Sequence, residues 1–167
     1  FTKPSTSVIG PDAPIVYPAC SKDMNFEPEV AVVMGRIAKN VTVENAMDYV
    51  LGFTCVNDVT LRDLQGIDPT WTRAKGFDTS CPLGPWIVMR DDLDWKDAKI
   101  SFTLNGEDVP MASGTTANLI HGIPEQIAAI SSFSTLLPGD VIMTGTPNAS
   151  GHLDPGDETI VHVEGIG

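Results

Sequence analysis

The chain has 167 residues, 42% of them hydrophobic, which suits one domain large enough for a full core. Its formal net charge of −12 argues against nucleic acid and anionic membranes as partners. A small anionic substrate stays open, because a metal ion and a few cationic side chains reverse the sign locally. No apolar run reaches membrane-spanning length and no secretory signal pattern is present. The three cysteines, Cys20, Cys55 and Cys81, are scattered among apolar residues without metal-ligand spacing. They read as buried thiols in a reducing cytoplasm. Phe1 is no natural start, so residues upstream of it are expected.

Thirteen prolines and fifteen glycines punctuate short segments, which favours a β-rich fold. Phe1 to Pro18 reads as loops and short strands around Ile15-Val16-Tyr17, with Lys3 on an exposed polar turn. Val30 to Met34 is an unbroken apolar run and predicts a buried strand. Glu27 and Glu29 stand just before it. Side chains at i and i+2 of an extended chain share a face, so both carboxylates leave the strand on one side. Two such charges at the edge of a core repel, so one holds a proton or a cation sits between them. A solvated acidic strand end is the plainer alternative for so short a motif. Pro28, between them, lacks a backbone donor and predicts an unpaired strand end at a sheet edge or pocket rim.

Asn40 to Asp48 carries a helix signal, with Thr42 as N-cap, Glu44 in the first turn and Gly52 as terminator. Phe53 to Asn57 predicts a second buried strand that delivers Asp58. If the chain turns helical there, Asp58, Arg62 and Gln65 share a face by their i, i+4, i+7 spacing; a surface Asp–Arg pair is the simpler reading. Lys75, the single lysine of a mostly uncharged and aromatic-rich stretch, is a candidate for a partly buried ammonium held by a carboxylate or an anionic ligand, or else an exposed loop lysine. Asn105-Gly106 predicts a type I′ turn within a hairpin over residues 100–110. Pro124-Glu125 opens a core helix with Ile127, Ile130, Phe133 and Leu137 at helical spacing, stopped by Pro138-Gly139. Residues 140–147 read as a strand entering a Gly-Thr-Pro turn whose hydroxyls and N–H groups suit an oxyanion. The last strand spans 158–164. His121, His152 and His162 are not clustered, and His162 reads as structural.

Five motifs then stand in order: Phe26-Glu27-Pro28-Glu29; Asn57-Asp58-Val59-Thr60 with Arg62-Asp63-Leu64-Gln65; Trp71-Thr72-Arg73-Ala74-Lys75-Gly76-Phe77-Asp78-Thr79; Cys81-Pro82-Leu83-Gly84-Pro85-Trp86; and Pro138 to Pro147. Together they resemble the fumarylacetoacetate hydrolase family, in the catalytic domain shared by fumarylpyruvate and acylpyruvate hydrolases, oxaloacetate decarboxylases and 2-hydroxyhepta-2,4-diene-1,7-dioate isomerases. The resemblance covers nearly the whole chain. It implies one catalytic domain over residues 1–167, mainly β with a few short helices, its mixed sheets rolled around a pocket.

The resemblance also implies roles. Glu27, Glu29 and Asp58 become carboxylate ligands of one divalent cation, Mg²⁺ with Mn²⁺ or Ca²⁺ as alternatives. Arg62, Gln65 and Thr146 become substrate-binding residues. Lys75 both binds substrate and acts as the catalytic residue that stabilises developing negative charge. A His and a Glu that handle water or a proton in hydrolytic relatives are expected upstream of Phe1, so no general base is assigned. The implied function is metal-dependent hydrolysis of a C–C bond in a small 2,4-dioxo acid from aromatic catabolism, by a cytoplasmic homodimer. Isomerisation or decarboxylation of a related oxo-acid is the alternative. A non-catalytic domain holding a structural cation is the reading from another class.

Overall fold

The computed structural model describes residues 1–167. Twelve strands and three α-helices follow in order: β1 (Val8–Ile9), β2 (Met24–Phe26), β3 (Pro28–Met34), β4 (Val50–Asn57), β5 (Thr60–Leu61), α1 (Arg62–Gln65), α2 (Thr72–Lys75), β6 (Cys81–Met89), β7 (Lys99–Leu104), β8 (Glu107–Asp108), β9 (Gly114–Thr115), α3 (Ile123–Phe133), β10 (Val141–Met143), β11 (Gly151–Leu153) and β12 (Thr159–Val163). They form three curled sheets: a five-stranded one in the order β1-β6-β4-β3-β10, a three-stranded β11-β2-β5, and a four-stranded β12-β7-β8 with β9 also on β7. β1 and β6 are parallel and the other pairs antiparallel, so the β-rich mixed architecture is as the sequence implies.

β3 is the axis of the large sheet. All seven of its residues are buried. Val30, Val32 and Met34 point into the main core with Phe53, Ile100, Ile123, Ile127 and Val163. Ala31 points the other way and packs with Val56 and Cys81. An apolar run without polar alternation is what a strand covered on both faces requires. Each large apolar side chain buried this way contributes about 1.5–3 kcal/mol. A second core, with Met24, Phe26, Leu61, Leu64 and Phe102, lies under the smaller sheets. The Phe26 and Phe102 rings stack there with centroids 4.0 Å apart.

Pro28 is paired on one side only. The Asp58 N–H bonds the Glu27 carbonyl at 2.9 Å, so Pro28 stands opposite Asn57 in a position that needs no proline N–H. On the other side β10 reaches only as far as Ala31. The carboxylate-bearing end of β3 is therefore left open to a cavity.

The hairpin forms as its turn residues dictate, with Asn105 at φ 54° and Gly106 at φ 82°. Other expectations need correction. Residues 43–49 form a 3₁₀-helix, and Gly52 lies inside β4 rather than ending a helix. A Cβ there would sit 2.1 Å from the Val88 carbonyl oxygen, so the close approach of β4 to β6 selects glycine. Ile15–Tyr17 is not a strand; Ile15 and Tyr17 pack against the second core, and the Tyr17 hydroxyl accepts from the Met24 N–H. α3 stops at Phe133, which is 78% exposed, so the core contribution of this helix rests on Ile123 and Ile127. Cys55 and Cys81 are buried, but Cys20 is exposed. No helix is long and apolar enough to cross a membrane.

Candidate metal centre and active site

The end of β3, the end of β4 and the one-turn helix α2 converge on one point. Glu27 and Glu29 arrive from β3 and its approach, and Asp58 follows directly on β4. The Glu27 N–H donates to the Asn57 side-chain oxygen at 2.9 Å, which ties the two chain segments together. One carboxylate oxygen each from Glu27, Glu29 and Asp58 lies within 4.8 Å of the others. Glu29 and Asp58 are buried and Glu27 is partly so.

Cationic side chains gather around them. The Lys75 ammonium donates to Glu27 Oε2 at 2.5 Å and to Asp58 Oδ2 at 2.6 Å, and its side chain is 3% exposed. This is the buried, carboxylate-held ammonium that its mostly uncharged stretch of sequence suggests. Arg62 donates to Glu27 Oε1 at 2.6 Å, to Gln65 Oε1 at 2.5 Å and to Ser150 Oγ at 2.6 Å. The chain does not turn helical at Asp58. Residues 60–61 are a strand, α1 begins at Arg62, and Arg62 pairs with Glu27 instead of Asp58.

Lys3 is the residue the sequence misplaces. Its side chain is 5% exposed and its ammonium stands 2.8 Å from Asp58 Oδ1. It donates to the carbonyls of Val59 at 3.3 Å and Ser80 at 3.0 Å, to Ser80 Oγ at 3.1 Å, and to the Lys75 carbonyl. Local sequence shows only a lysine before a proline. The partners lie 56 to 77 residues downstream.

Glu29 is placed from the far side. The Gly145 N–H donates to its Oε2 at 2.8 Å, and the Thr146 hydroxyl lies 3.4 Å from its Oε1. Gly145 has φ 103°, a conformation open to glycine and strained for other residues, and this bend aims the N–H at the carboxylate. Burial pushes the Glu29 carboxyl up to about 8, with the Asp58 charge adding to it and the Gly145 hydrogen bond opposing. Burial likewise holds the Lys3 ammonium below the ordinary lysine range, against the pull of Asp58. Burial also pushes the Cys81 thiol up to about 11, so Cys81 stays a protonated, inert neighbour.

The three carboxylates open onto a cavity of about 280 Å³, walled also by Gln65, Lys75, Trp71, Met143 and Thr146. Arg62 adjoins this wall, donating to Glu27 and to Gln65. Since Gln65 Oε1 is occupied by Arg62, the amide nitrogen is what Gln65 offers to an anion. A larger shallow groove of about 530 Å³ between β7, β9 and β12 carries His162 and Glu164, but its one apolar residue is Ile100 and no group of carboxylates converges there.

The donor set fits a hard divalent cation. Three carboxylates supply only oxygen ligands. Asp58 Oδ1 is buried and has the Lys3 ammonium, at 2.8 Å, as its one close partner. An ionised carboxylate accepts in about four lone-pair directions, so Asp58 keeps acceptor capacity for a cation beside Lys3 and Lys75.

Residues 1–167 match the fumarylacetoacetate (FAA) hydrolase C-terminal family. The chain is 46% identical over 170 residues to protein Rv2993c of Mycobacterium tuberculosis, covering all of this chain and 63% of that protein. It is 40% identical over 176 residues to the mitochondrial oxaloacetate tautomerase Fahd2a of Rattus norvegicus, covering all of this chain and 56% of that one. The crystal structure of 5-carboxymethyl-2-hydroxymuconate delta-isomerase from Mycobacterium smegmatis superposes with a TM-score of 0.95 at 46% identity, over 100% of this chain and 65% of the other. The chain thus spans between about half and two thirds of the length of these proteins.

Proposed function

The chain belongs to the fumarylacetoacetate hydrolase family, and from that premise we propose that it carries the catalytic centre of a divalent-cation-dependent enzyme acting on a small dianionic 2-oxo acid. The reaction is formation and collapse of an enolate beside the 2-oxo carbonyl, read out as isomerisation or tautomerisation. The observation that carries this reading is the Lys75 ammonium, buried between two of three convergent carboxylates at the wall of a small cavity.

Glu27, Glu29 and Asp58 would hold the cation, with Mg²⁺ and Mn²⁺ the ions that suit an all-oxygen donor set. When bound, such a cation supplies Lewis acidity toward the carbonyl oxygen and favours the enolate. Lys75 holds protons at Nζ on the cavity wall, so it neutralises charge developing on the enolate oxygen and relays a proton, giving one to carbon and taking up the one that the enol oxygen releases. The Gln65 amide nitrogen and the Thr146 hydroxyl, both on the cavity wall, bind the substrate carboxylates. Charge supports a dianion. Glu27, Glu29 and Asp58 are balanced by Lys3, Arg62 and Lys75, so a divalent cation leaves two positive charges for the substrate to match.

The second reading is hydrolysis of a C–C bond in a 2,4-dioxo acid, which passes through the same enolate and which the family description names. The isomerase and tautomerase reading stands first because the 46% and 40% identical proteins named above carry those activities in their names. A second copy of this chain is the proposed partner. β1 covers β6 only at Cys81 and Pro82, and the rest of that edge exposes Trp86, Ile87 and Met89. Three free cysteines accord with a cytoplasmic setting.

The test uses the full-length protein, stripped of metal and resupplied with Mg²⁺ or Mn²⁺. Enol absorbance is followed for oxaloacetate, fumarylpyruvate and acylpyruvates, with Lys75→Met as control. Metal-dependent ketonisation of oxaloacetate that Lys75→Met abolishes supports the first reading. Cleavage products from the dioxo acids move the assignment to the second. Absence of turnover on all of them, with tight metal binding intact, leaves a structural cation.

A further inference from the structure

Two ammonium groups serve the one carboxylate of Asp58, and they differ in what else holds them. Lys75 Nζ has Glu27 and Asp58 as its only hydrogen-bond partners, both of them candidate cation ligands. A cation held by these carboxylates would compete with Lys75 for them, so these bonds are exchangeable. Lys3 is held differently. Its ammonium lies within hydrogen-bond reach of the main-chain carbonyls of Val59, Lys75 and Ser80 and of Ser80 Oγ, and it pairs with Asp58 Oδ1 at 2.8 Å. Backbone fixes Lys3, and Lys3 in turn fixes the Asp58 carboxylate through its Oδ1.

The anchor also joins chain segments far apart in sequence. Val59 follows Asp58, the Lys75 carbonyl ends α2, and Ser80 precedes β6. Ser80 Oγ donates to the Lys75 carbonyl at 2.8 Å, and the Val59 N–H donates to the Ser80 carbonyl at 3.1 Å. One buried ammonium therefore closes a ring made of the three segments behind the site.

Resting on the reading of Glu27, Glu29 and Asp58 as a cation site, we infer that Lys3 is its positioning residue: locked by the Val59, Lys75 and Ser80 carbonyls, its ammonium holds the Asp58 carboxylate and the α2 backbone in place while a divalent cation displaces the Lys75 ammonium. Lys3 touches neither substrate nor reacting atoms in this scheme.

The sign of the effect tests it. Removing a positive charge beside a cation site, by itself, tightens cation binding. Removing a positioning residue weakens it, by about 10- to 100-fold for outer partners of metal ligands. Mn²⁺ affinity is measured by calorimetry on the metal-free full chain, as wild type, Lys3→Met, Ser80→Ala and Ile127→Ala. Ile127 lies in the main core and controls for lost stability alone. The expected result is Mn²⁺ binding weakened about 10-fold or more in Lys3→Met, with an altered electron paramagnetic resonance spectrum of the bound ion, and unchanged affinity in Ile127→Ala. Unchanged or tighter binding in a folded Lys3→Met overturns the inference. If Lys3→Met does not fold, Ser80→Ala decides: a loss of about fivefold, the equivalent of one hydrogen bond, supports it, and no change overturns it. A wild type that takes up no divalent cation fails the reading of the site itself, which is a separate outcome.

Discussion

Lys75 and Asp58 form a buried ion pair, Nζ to Oδ2 2.6 Å, with each side chain only 3% exposed. Breaking such a pair by removing one partner leaves an uncompensated charge in the interior and costs about 3–5 kcal/mol. Lys75→Met is therefore expected to lower the metal-free unfolding free energy by that order. Millimolar Mn²⁺ restores much of the loss by supplying another countercharge, while turnover stays absent. Urea unfolding with and without Mn²⁺ checks both halves. A variant as stable as wild type without metal would remove the ion pair from the account.

Glu29 makes stability depend on pH. Its carboxyl is raised from an ordinary 4.5 to about 8, mainly by burial. Between these values the folded metal-free protein binds more protons at this group than the unfolded chain does. The stabilisation is complete below the lower value and is lost as pH rises through the upper one, with a slope of at most about 1.4 kcal/mol per pH unit. Glu29→Gln flattens the slope in this window. Urea midpoints measured in chelator across the range decide it, and parallel curves for the two proteins would refute it. Mn²⁺ uptake by wild type at neutral pH releases a proton, seen as a dependence of binding heat on buffer ionisation enthalpy.

Gly145→Ala separates backbone conformation from steric clash. A Cβ at Gly145 meets nothing within 4 Å, yet φ is 103°. The substitution is expected to cost about 1–3 kcal/mol of strain or to be relieved by turning the N–H away from Glu29. Either route lowers Mn²⁺ affinity or thermal stability. Unchanged values for both would show that the turn tolerates a side chain.

Ile127→Ala tests the core apart from the site. Ile127 is fully buried at the centre of the main core. The expected loss is about 2–5 kcal/mol in unfolding free energy, measured by urea denaturation, with the midpoint shifted and Mn²⁺ affinity kept.

Trp86→Glu tests the proposed contact between copies. Trp86 is 61% exposed on the free edge of β6, beside Ile87 at 45% and Met89 at 50%. A carboxylate there is expected to convert a dimer into monomers in sedimentation velocity, without loss of folded structure by circular dichroism. A dimer that persists places the interface elsewhere.

The buried strand and the hairpin were legible because each is written in local pattern. Val30 to Met34 is apolar without interruption, and Asn105-Gly106 accepts positive φ at both turn positions. Glu27 and Glu29 converge because two-residue spacing in an extended chain fixes direction. Lys75 was marked as the single lysine in a mostly uncharged, aromatic-rich stretch. The short helices were less legible: residues 43–49 and 62–65 are single turns or 3₁₀ segments whose limits are set by the strands they join.

What the sequence determined by itself was the family, the β-rich fold and the residue types that gather at the site, since these follow from spacing, propensity and motif order. What tertiary structure alone decided was who pairs with whom. Arg62 went to Glu27 rather than Asp58, and Lys3 went from an expected surface turn to a buried anchor. Both outcomes have one physical cause. A long cationic side chain buries its charge wherever the fold brings enough acceptors together, and for Lys3 those acceptors come from segments 56 to 77 residues away, beyond the reach of any local pattern.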